Sequence, residues 1–265
     1  MTRLGQHFLT DPNLLRKIVA ALDPTPTDVV LEIGPGKGSL TRILAPLVGR
    51  VVAIEKDRRL AAELGAWNAD GGTGHVEVVE GDALKLDWHV LLDTGRPAPR
   101  FKVIGNIPYY ITSPLIEKAL APPLPERVVF LMQREVGERL AAAPGARSYG
   151  ALSVGVQAAC EVERLFVVKA GAFRPAPRVD SAVVRLTPLA RPLVTPAETA
   201  SFRAFVTTCF GRRRKQLRNA VMAATQRPAP VVTALLRDLH LSATARPETL
   251  TPAEFVALLR GSLQL

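Results

Sequence analysis

The chain has 265 residues, 48% of them hydrophobic, and a formal net charge of +10. That length supports one sizeable core with a small second domain. It contains no run of about 18 uncharged apolar residues, so it has no spanning helix, and Met1-Thr2-Arg3-Leu4-Gly5-Gln6-His7 does not read as a secretory leader.

Asp11-Pro12 predicts a helix start, with Asp as the cap and Pro in the first turn. Leu14, Leu15, Ile18, Val19 and Leu22 follow at helical spacing. Residues 29–33 read as a short buried strand and 40–47 as a helix. Strands are expected at 50–54, 76–79, 101–104 and 127–132, and helices at 57–66, from 112 onward behind Thr112-Ser113-Pro114, and at 134–142. This alternation implies a parallel, doubly wound α/β sheet. Two further strands, near 162–168 and 179–186, enclose only Phe173-Arg174-Pro175-Ala176-Pro177, too short for a crossover helix. The last pair is therefore expected to be antiparallel. The fold expected by analogy is a Rossmann-like methyltransferase sheet, mostly parallel, with its last strand reversed.

A boundary falls near Pro188 to Pro196, giving a catalytic domain at 1–190 and a small, basic helical domain at 191–265. Thr195-Pro196-Ala197-Glu198 and Thr251-Pro252-Ala253-Glu254 fit the capping-box pattern. From Arg191 onward there are 11 basic and 4 acidic residues, so this region holds most of the excess charge. A concentrated basic region favours a polyanion such as nucleic acid. Its densest run supplies Arg212, Arg213, Arg214, Lys215 and Arg218 as candidate phosphate contacts. Cys160 and Cys209 match no metal spacing and read as buried apolar residues in a reducing compartment. A cytoplasmic protein without a metal is expected.

Gly34-Pro35-Gly36-Lys37-Gly38 follows the first strand of the sheet. Its G-x-G-x-G spacing lacks the last gap of the dinucleotide fingerprint, and Lys37 is not followed by Ser or Thr as in a P-loop, so NAD and ATP are disfavoured. Glu55 ends the next strand, where a carboxylate can accept from both hydroxyls of a ribose. Asp82, after the third strand, can accept from an adenine amino group. Together these groups suit S-adenosylmethionine.

Asn106-Ile107-Pro108-Tyr109 is the most informative stretch. The Asn106 side-chain oxygen and the Ile107 carbonyl, held by Pro108, offer two acceptors for an exocyclic amine. Tyr109 can stack on the ring that carries it, with Phe173 as the candidate on the opposite face. Tyr110 is expected to pack. With a methyl donor, this is the pattern of an amino-methyltransferase acting on adenine or cytosine.

On these motifs the chain resembles the small-subunit ribosomal RNA adenine dimethyltransferase family. The matching segments also include Gly5-Gln6-His7-Phe8-Leu9-Thr10-Asp11, Gly81-Asp82-Ala83, Gln133-Arg134-Glu135-Val136 and the family-specific run from Ala172 to Val183. The resemblance implies cofactor contacts by His7, Leu9, Gly34, Glu55, Asp82 and Asn106, with Gln6, Gly36, Lys56 and Ala83 beside them. It implies double methylation of the exocyclic amines of two adjacent adenosines, in a hairpin near the 3′ end of small-subunit rRNA. The implied partners are the small ribosomal subunit and its rRNA, with the chain acting as a monomer and no membrane involved. His7 departs from the Asn usual in the family. Three rivals remain: a large-subunit rRNA adenine methyltransferase, a DNA amino-methyltransferase, and a methyltransferase-like assembly factor without turnover.

Overall fold

The computed structural model describes residues 6–70, 75–92, 100–211 and 215–264. The chain divides into two compact units, one of residues 1–137 with 163–188 and one of residues 138–162 with 189–265.

The first unit begins with a two-residue strand, β1 (Phe8–Leu9), and helix α1 (Pro12–Ala21). Asp11 caps α1 through hydrogen bonds from the Asn13 and Leu14 N–H groups, and Leu15, Ile18 and Val19 turn into the core. The βα units follow as β2 (Val29–Ile33), α2 (Thr41–Leu44), β3 (Arg50–Glu55), α3 (Arg58–Ala69), β4 (Val76–Glu80), α4 (Trp88–Leu91), β5 (Phe101–Asn106), α5 (Thr112–Ala119) and β6 (Arg127–Gln133). Next come α6 (Arg134–Leu140), α7 (Ala151–Gln157), β7 (Cys160–Val168), β8 (Phe173–Arg174) and β9 (Ser181–Pro188).

The seven strands of the main sheet lie in the order β4-β3-β2-β5-β6-β9-β7. β2 pairs in parallel with both β3 and β5, and β5 with β6. β9 runs antiparallel to β6, with Val128 opposite Leu186 and Gln133 opposite Ser181. The central strands are buried on both faces, which explains their near-continuous apolar runs: Val30, Leu31, Val103, Ile104 and Phe130 are fully covered, with Glu32 in β2 and Lys102 in β5 as buried charged residues among them. The chain winds outward from β2 through β4, then returns to β5 on the other side. This switch point, at the carboxyl ends of the strands, is where such sheets bind ligands.

Two local expectations need correction. The helix expected at 40–47 is a four-residue α2 that tightens into a 3₁₀ turn over Ala45–Leu47. The cap-plus-proline start expected at Thr112-Ser113-Pro114 does not form, since α5 begins at Thr112 with no side-chain cap. Thr112 lies inside the helix behind Ile111, and its hydroxyl turns back to the Pro108 and Tyr109 carbonyls.

The second unit contains α7 and the helices α8 (Thr199–Gly211), α9 (Leu217–Thr225), α10 (Ala229–Asp238) and α11 (Pro252–Leu263). The expected domain limits are corrected here, because residues 138–162 belong with the C-terminal helices. The reason is apolar: Tyr149 and Val154 pack with Phe202, Phe205, Phe255 and Leu258, and the Tyr149 hydroxyl donates to the Leu250 carbonyl at 2.9 Å. The Thr251–Glu254 capping box forms at the start of α11. The Thr195–Glu198 pair makes the same reciprocal bonds, but one turn ahead of α8.

Candidate active site

The first unit carries a cleft at the sheet's switch point. Its floor is the turn after β2. Gly34 and Gly36 adopt φ of +66° and +58°, and a Cβ on Gly36 would come within 2.9 Å of the Phe8 ring. Glycine is therefore required there on both counts. The Gly36 N–H donates to Glu55 Oε2 at 2.9 Å, and the Asp57 N–H donates to Oε1 at 2.8 Å. Glu55 is buried and ties the turn to the start of α3. A carboxylate has about four acceptor sites, so two remain for a diol.

Lys56 and Asp82 meet at 2.9 Å, while the other Asp82 oxygen accepts from the Leu84 N–H at 3.0 Å. The Lys56 hydrogen bond holds the Asp82 carboxyl below the usual carboxylate range, against the opposing effect of burial. Ala83 lines the same side of the cleft.

Glu32 is the residue whose role sequence reasoning missed. It is 1% exposed, lines the cleft, and neither of its carboxylate oxygens has a hydrogen-bond partner among the described residues. Burial and the Glu55 charge push its carboxyl up to about 7. Thr41 tempers that rise, yet its hydroxyl forms no hydrogen bond in the structure. A buried acid without a partner is costly, and a cationic ligand group would relieve it. S-adenosylmethionine has an ammonium and a sulfonium, so the orphaned acid and the glycine cradle fit that cofactor. The available signal was position, since Glu32 stands one residue from the carboxyl end of β2.

The Asn106 turn forms the opposite wall. Asn106 Nδ2 donates to the His7 carbonyl at 2.9 Å. The Ile107 N–H donates to the Leu131 carbonyl at 3.1 Å, fixing the turn over β6. Tyr109 is half-buried, and its hydroxyl bonds Ser181 Oγ at 2.7 Å. Desolvation raises the phenol above its ordinary value, outweighing the Ser181 hydrogen bond. His7 Nδ1 lies 2.8 Å from the Pro175 carbonyl. That oxygen can only accept, so Nδ1 carries the proton. The His7 ring centroid is 6.1 Å from that of Tyr109 at an interplanar angle of 26°. Gln6, His7 and Leu9 line the cleft together with Pro108.

The sequence model described as ribosomal RNA adenine dimethylase matches residues 1–256. The chain belongs to this family. It is 41% identical over 259 residues to ribosomal RNA small subunit methyltransferase A of Nitrosococcus oceani, covering 97% of this chain and 94% of that one. The protein of the same name from Xanthomonas campestris pv. campestris strain B100 is 42% identical over 257 residues, with 96% and 93% covered. Among solved structures, a dimethyladenosine transferase from Plasmodium falciparum superposes with a TM-score of 0.84 at 30% identity, covering 95% of this chain and 96% of that one. The 23S rRNA methyltransferase ErmE gives a TM-score of 0.74 at 29% identity, covering 96% and 98%.

The family-specific run from Ala172 to Val183 behaves differently from expectation at its first aromatic. Phe173 is fully buried in the core of this unit and does not line the cleft. β8 pairs with β1, placing Phe173 opposite Leu9, and the strand alternation sends its side chain inward. As placed, Phe173 is not a stacking face for a substrate base. Tyr110 is corrected in the opposite sense: it was expected to pack but is 65% exposed beside the cleft.

Of the basic run, Arg212, Arg213 and Arg214 lie outside the described residues. Lys215 is exposed just before Gln216, the cap of α9, and Arg218 is partly buried in the first turn of that helix. Among the described residues no cluster of three His, Cys, Asp or Glu could hold a metal, and no helix is long and apolar enough to cross a membrane. Cys160 and Cys209 are buried, which pushes both thiols up to about 12.

Proposed function

We propose that this protein uses S-adenosylmethionine to dimethylate the exocyclic amines of two adjacent adenosines in a hairpin near the 3′ end of small-subunit rRNA, as a step in maturation of that subunit. The observation that carries the reading is the set orientation of the Asn106 amide, which leaves Oδ1 free to accept a hydrogen from an amine. Both curated relatives are small-subunit rRNA methyltransferases by name, and the Plasmodium neighbour is a dimethyladenosine transferase.

In this reading Glu55 holds the cofactor ribose and Asp82, with Ala83 and Lys56, its adenine. Gly34, Gly36, Gln6, His7 and Leu9 shape the remaining wall, and Glu32 faces a cationic group. The bound cofactor supplies an activated methyl group. The chain's own contribution is positioning and electrostatics. The adenosine leaves its stack to enter the cleft, and Tyr109 stacks on the base. Asn106 Oδ1 and the Ile107 carbonyl accept hydrogen bonds from the amino hydrogens, two before the first transfer and one before the second, which favours a pyramidal nitrogen with its lone pair out of the ring plane; once methylated, the nitrogen releases one proton to solvent. No prior deprotonation is needed, in keeping with a neutral amide at this position.

Lys215 and Arg218, with Arg212, Arg213 and Arg214, contact phosphates and set affinity and register rather than sequence choice. The chain works in the cytoplasm as a monomer on the assembling small subunit.

The test is to incubate the purified protein with methyl-labelled S-adenosylmethionine and unmethylated small subunits, with large subunits and duplex DNA in parallel. Dimethyladenosine in small-subunit RNA alone is the expected result. Label in the large subunit would instead match the ErmE-like reading, which the 29% identity to that enzyme keeps in view. Cofactor binding with no transfer to any substrate would overturn the reading.

A further inference from the structure

The segment between β8 and β9 is pinned to the cleft at both ends. At one end the Pro175 carbonyl accepts from His7 Nδ1 at 2.8 Å. At the other, Ser181 bonds the Tyr109 hydroxyl at 2.7 Å. Asp180 anchors the same end. Its carbonyl accepts from the Arg134 N–H, and its carboxylate accepts from Lys169 Nζ at 2.9 Å and the Ala170 N–H at 3.1 Å. Residues 176–179 therefore form an arch with fixed feet beside the Asn106 turn.

Arg178 and Val179 are exposed on that arch, Val179 at 47%. Arg178 has no hydrogen bond or ion pair among the described residues. Arg174 behaves differently, turning its guanidinium back to the Gly171 and Phe173 carbonyls at 2.9 and 2.8 Å. The neighbouring acid, Asp180, is already engaged by Lys169. Neither an unpaired guanidinium nor an exposed valine stabilises the arch. A third exposed group, Tyr110, borders the cleft from the Asn106 turn at 65% exposure.

We propose that Arg178 binds a phosphate of the RNA strand adjoining the adenosine in the cleft, with Val179 and Tyr110 offering apolar surfaces to neighbouring bases. This rests on the reading of the cleft as an RNA adenosine site. A base turned into a pocket leaves its flanking phosphates at the mouth. A guanidinium matches a phosphate through paired N–H donors. Single strands are held by cations set among apolar and aromatic faces, the combination these three side chains present.

The test measures binding of the full-length protein to unmethylated small ribosomal subunits by co-sedimentation across a salt series. Arg178→Gln is expected to weaken binding about tenfold at low salt and to lower the salt slope by about one. Arg178→Lys should restore the slope but only part of the affinity, because a point charge lacks the fork. Val179→Ser combined with Tyr110→Ala should weaken binding about fivefold with the slope kept. Calorimetric affinity for S-adenosylmethionine should not change in either Arg178 variant, and the KM for RNA should rise by a larger factor than kcat falls. Wild-type affinity and slope in Arg178→Gln would overturn the proposal. A parallel loss of cofactor affinity would also overturn it, since that marks a structural role. Failure of the wild-type protein to transfer methyl groups, with binding and its salt dependence as described, would remove the proposed function and leave this contact standing.

Discussion

The Asn106 side chain is aimed by the main chain of His7, through the 2.9 Å hydrogen bond from Nδ2 to the His7 carbonyl. A carbonyl oxygen only accepts, so the amide has one orientation, with Oδ1 left for an amine. His7 is held in turn by its ring hydrogen bond to Pro175 and by the β1–β8 pairing that follows it. The acceptor of the site thus depends on two segments remote from it in sequence.

Replacing Asn106 is expected to separate chemistry from binding. Asn106→Ala should lower single-turnover transfer by about 10²–10³, the usual cost of losing one positioned polar group, while calorimetric cofactor affinity stays within about threefold. Asn106→Asp is the more demanding variant. An ionised carboxylate cannot donate to the His7 carbonyl and would face it as a second acceptor, so comparable inactivity is expected. Near-normal transfer in either variant would take Asn106 out of the reaction.

Tyr109 combines a ring face with a hydroxyl tied to Ser181. Tyr109→Phe keeps the face and loses one tether, so a loss of about threefold in kcat/KM is expected, on the scale of a single net hydrogen bond. Tyr109→Ala removes the face, and a loss of about 1–3 kcal/mol in RNA-dependent kcat/KM is expected, the range for base stacking on an aromatic. Equal effects of the two variants would assign Tyr109 to structure alone.

Much of the sheet was legible because strands buried on both faces read as near-continuous apolar runs, as Val128–Met132 does and as Val29–Ile33 does apart from Glu32. Glu55 was legible for the same reason, since it ends the apolar run Val51–Ile54 where β3 stops, whereas Asp82 was legible from its place two residues past β4. Phe173 was misread because a two-residue strand has no periodicity to reveal which way its side chain points, and its partner Leu9 lies far away in sequence. The 138–162 segment was misassigned because Tyr149 and Val154 look equally apolar whichever core they enter. Glu32 passed as part of a motif because nothing local signals that a strand-end acid has no partner.

Gly36 tests the cradle. Alanine there would hold a left-handed φ of +58° and place a Cβ 2.9 Å from the Phe8 ring. Strain at such a position costs about 1–3 kcal/mol. The displaced ring belongs to β1, next to His7. A lower melting temperature and cofactor affinity weakened about tenfold are expected for Gly36→Ala, measured by calorimetry and thermal unfolding. Unchanged affinity despite the lower melting temperature would show that the turn does not touch the cofactor.

Glu32 ties stability to pH in the cofactor-free protein. Its carboxyl is pushed from an ordinary 4.5 up to about 7 by burial, with Glu55 adding to the rise. Between those values the folded chain holds a proton that the unfolded chain has lost, so stability falls as pH rises through that window. The penalty is absent below about pH 4.5, accrues up to about pH 7 and is constant above, reaching about 3 kcal/mol at full size. Carboxyls that their partners hold low, such as Glu198 at about 2 beside Arg260, have the opposite sign but act below this window. Glu32→Gln stays neutral throughout, so without cofactor it should match the wild type near pH 4.5, exceed it increasingly up to about pH 7 and keep a constant margin above. With S-adenosylmethionine the order should reverse, because the ionised acid gains a cationic partner that Gln cannot match. Urea unfolding of both proteins at several pH values, with and without cofactor, reads both effects. Parallel pH profiles without cofactor would mean that Glu32 already has a partner in solution, and the orphaned acid would lose its role as a cofactor contact.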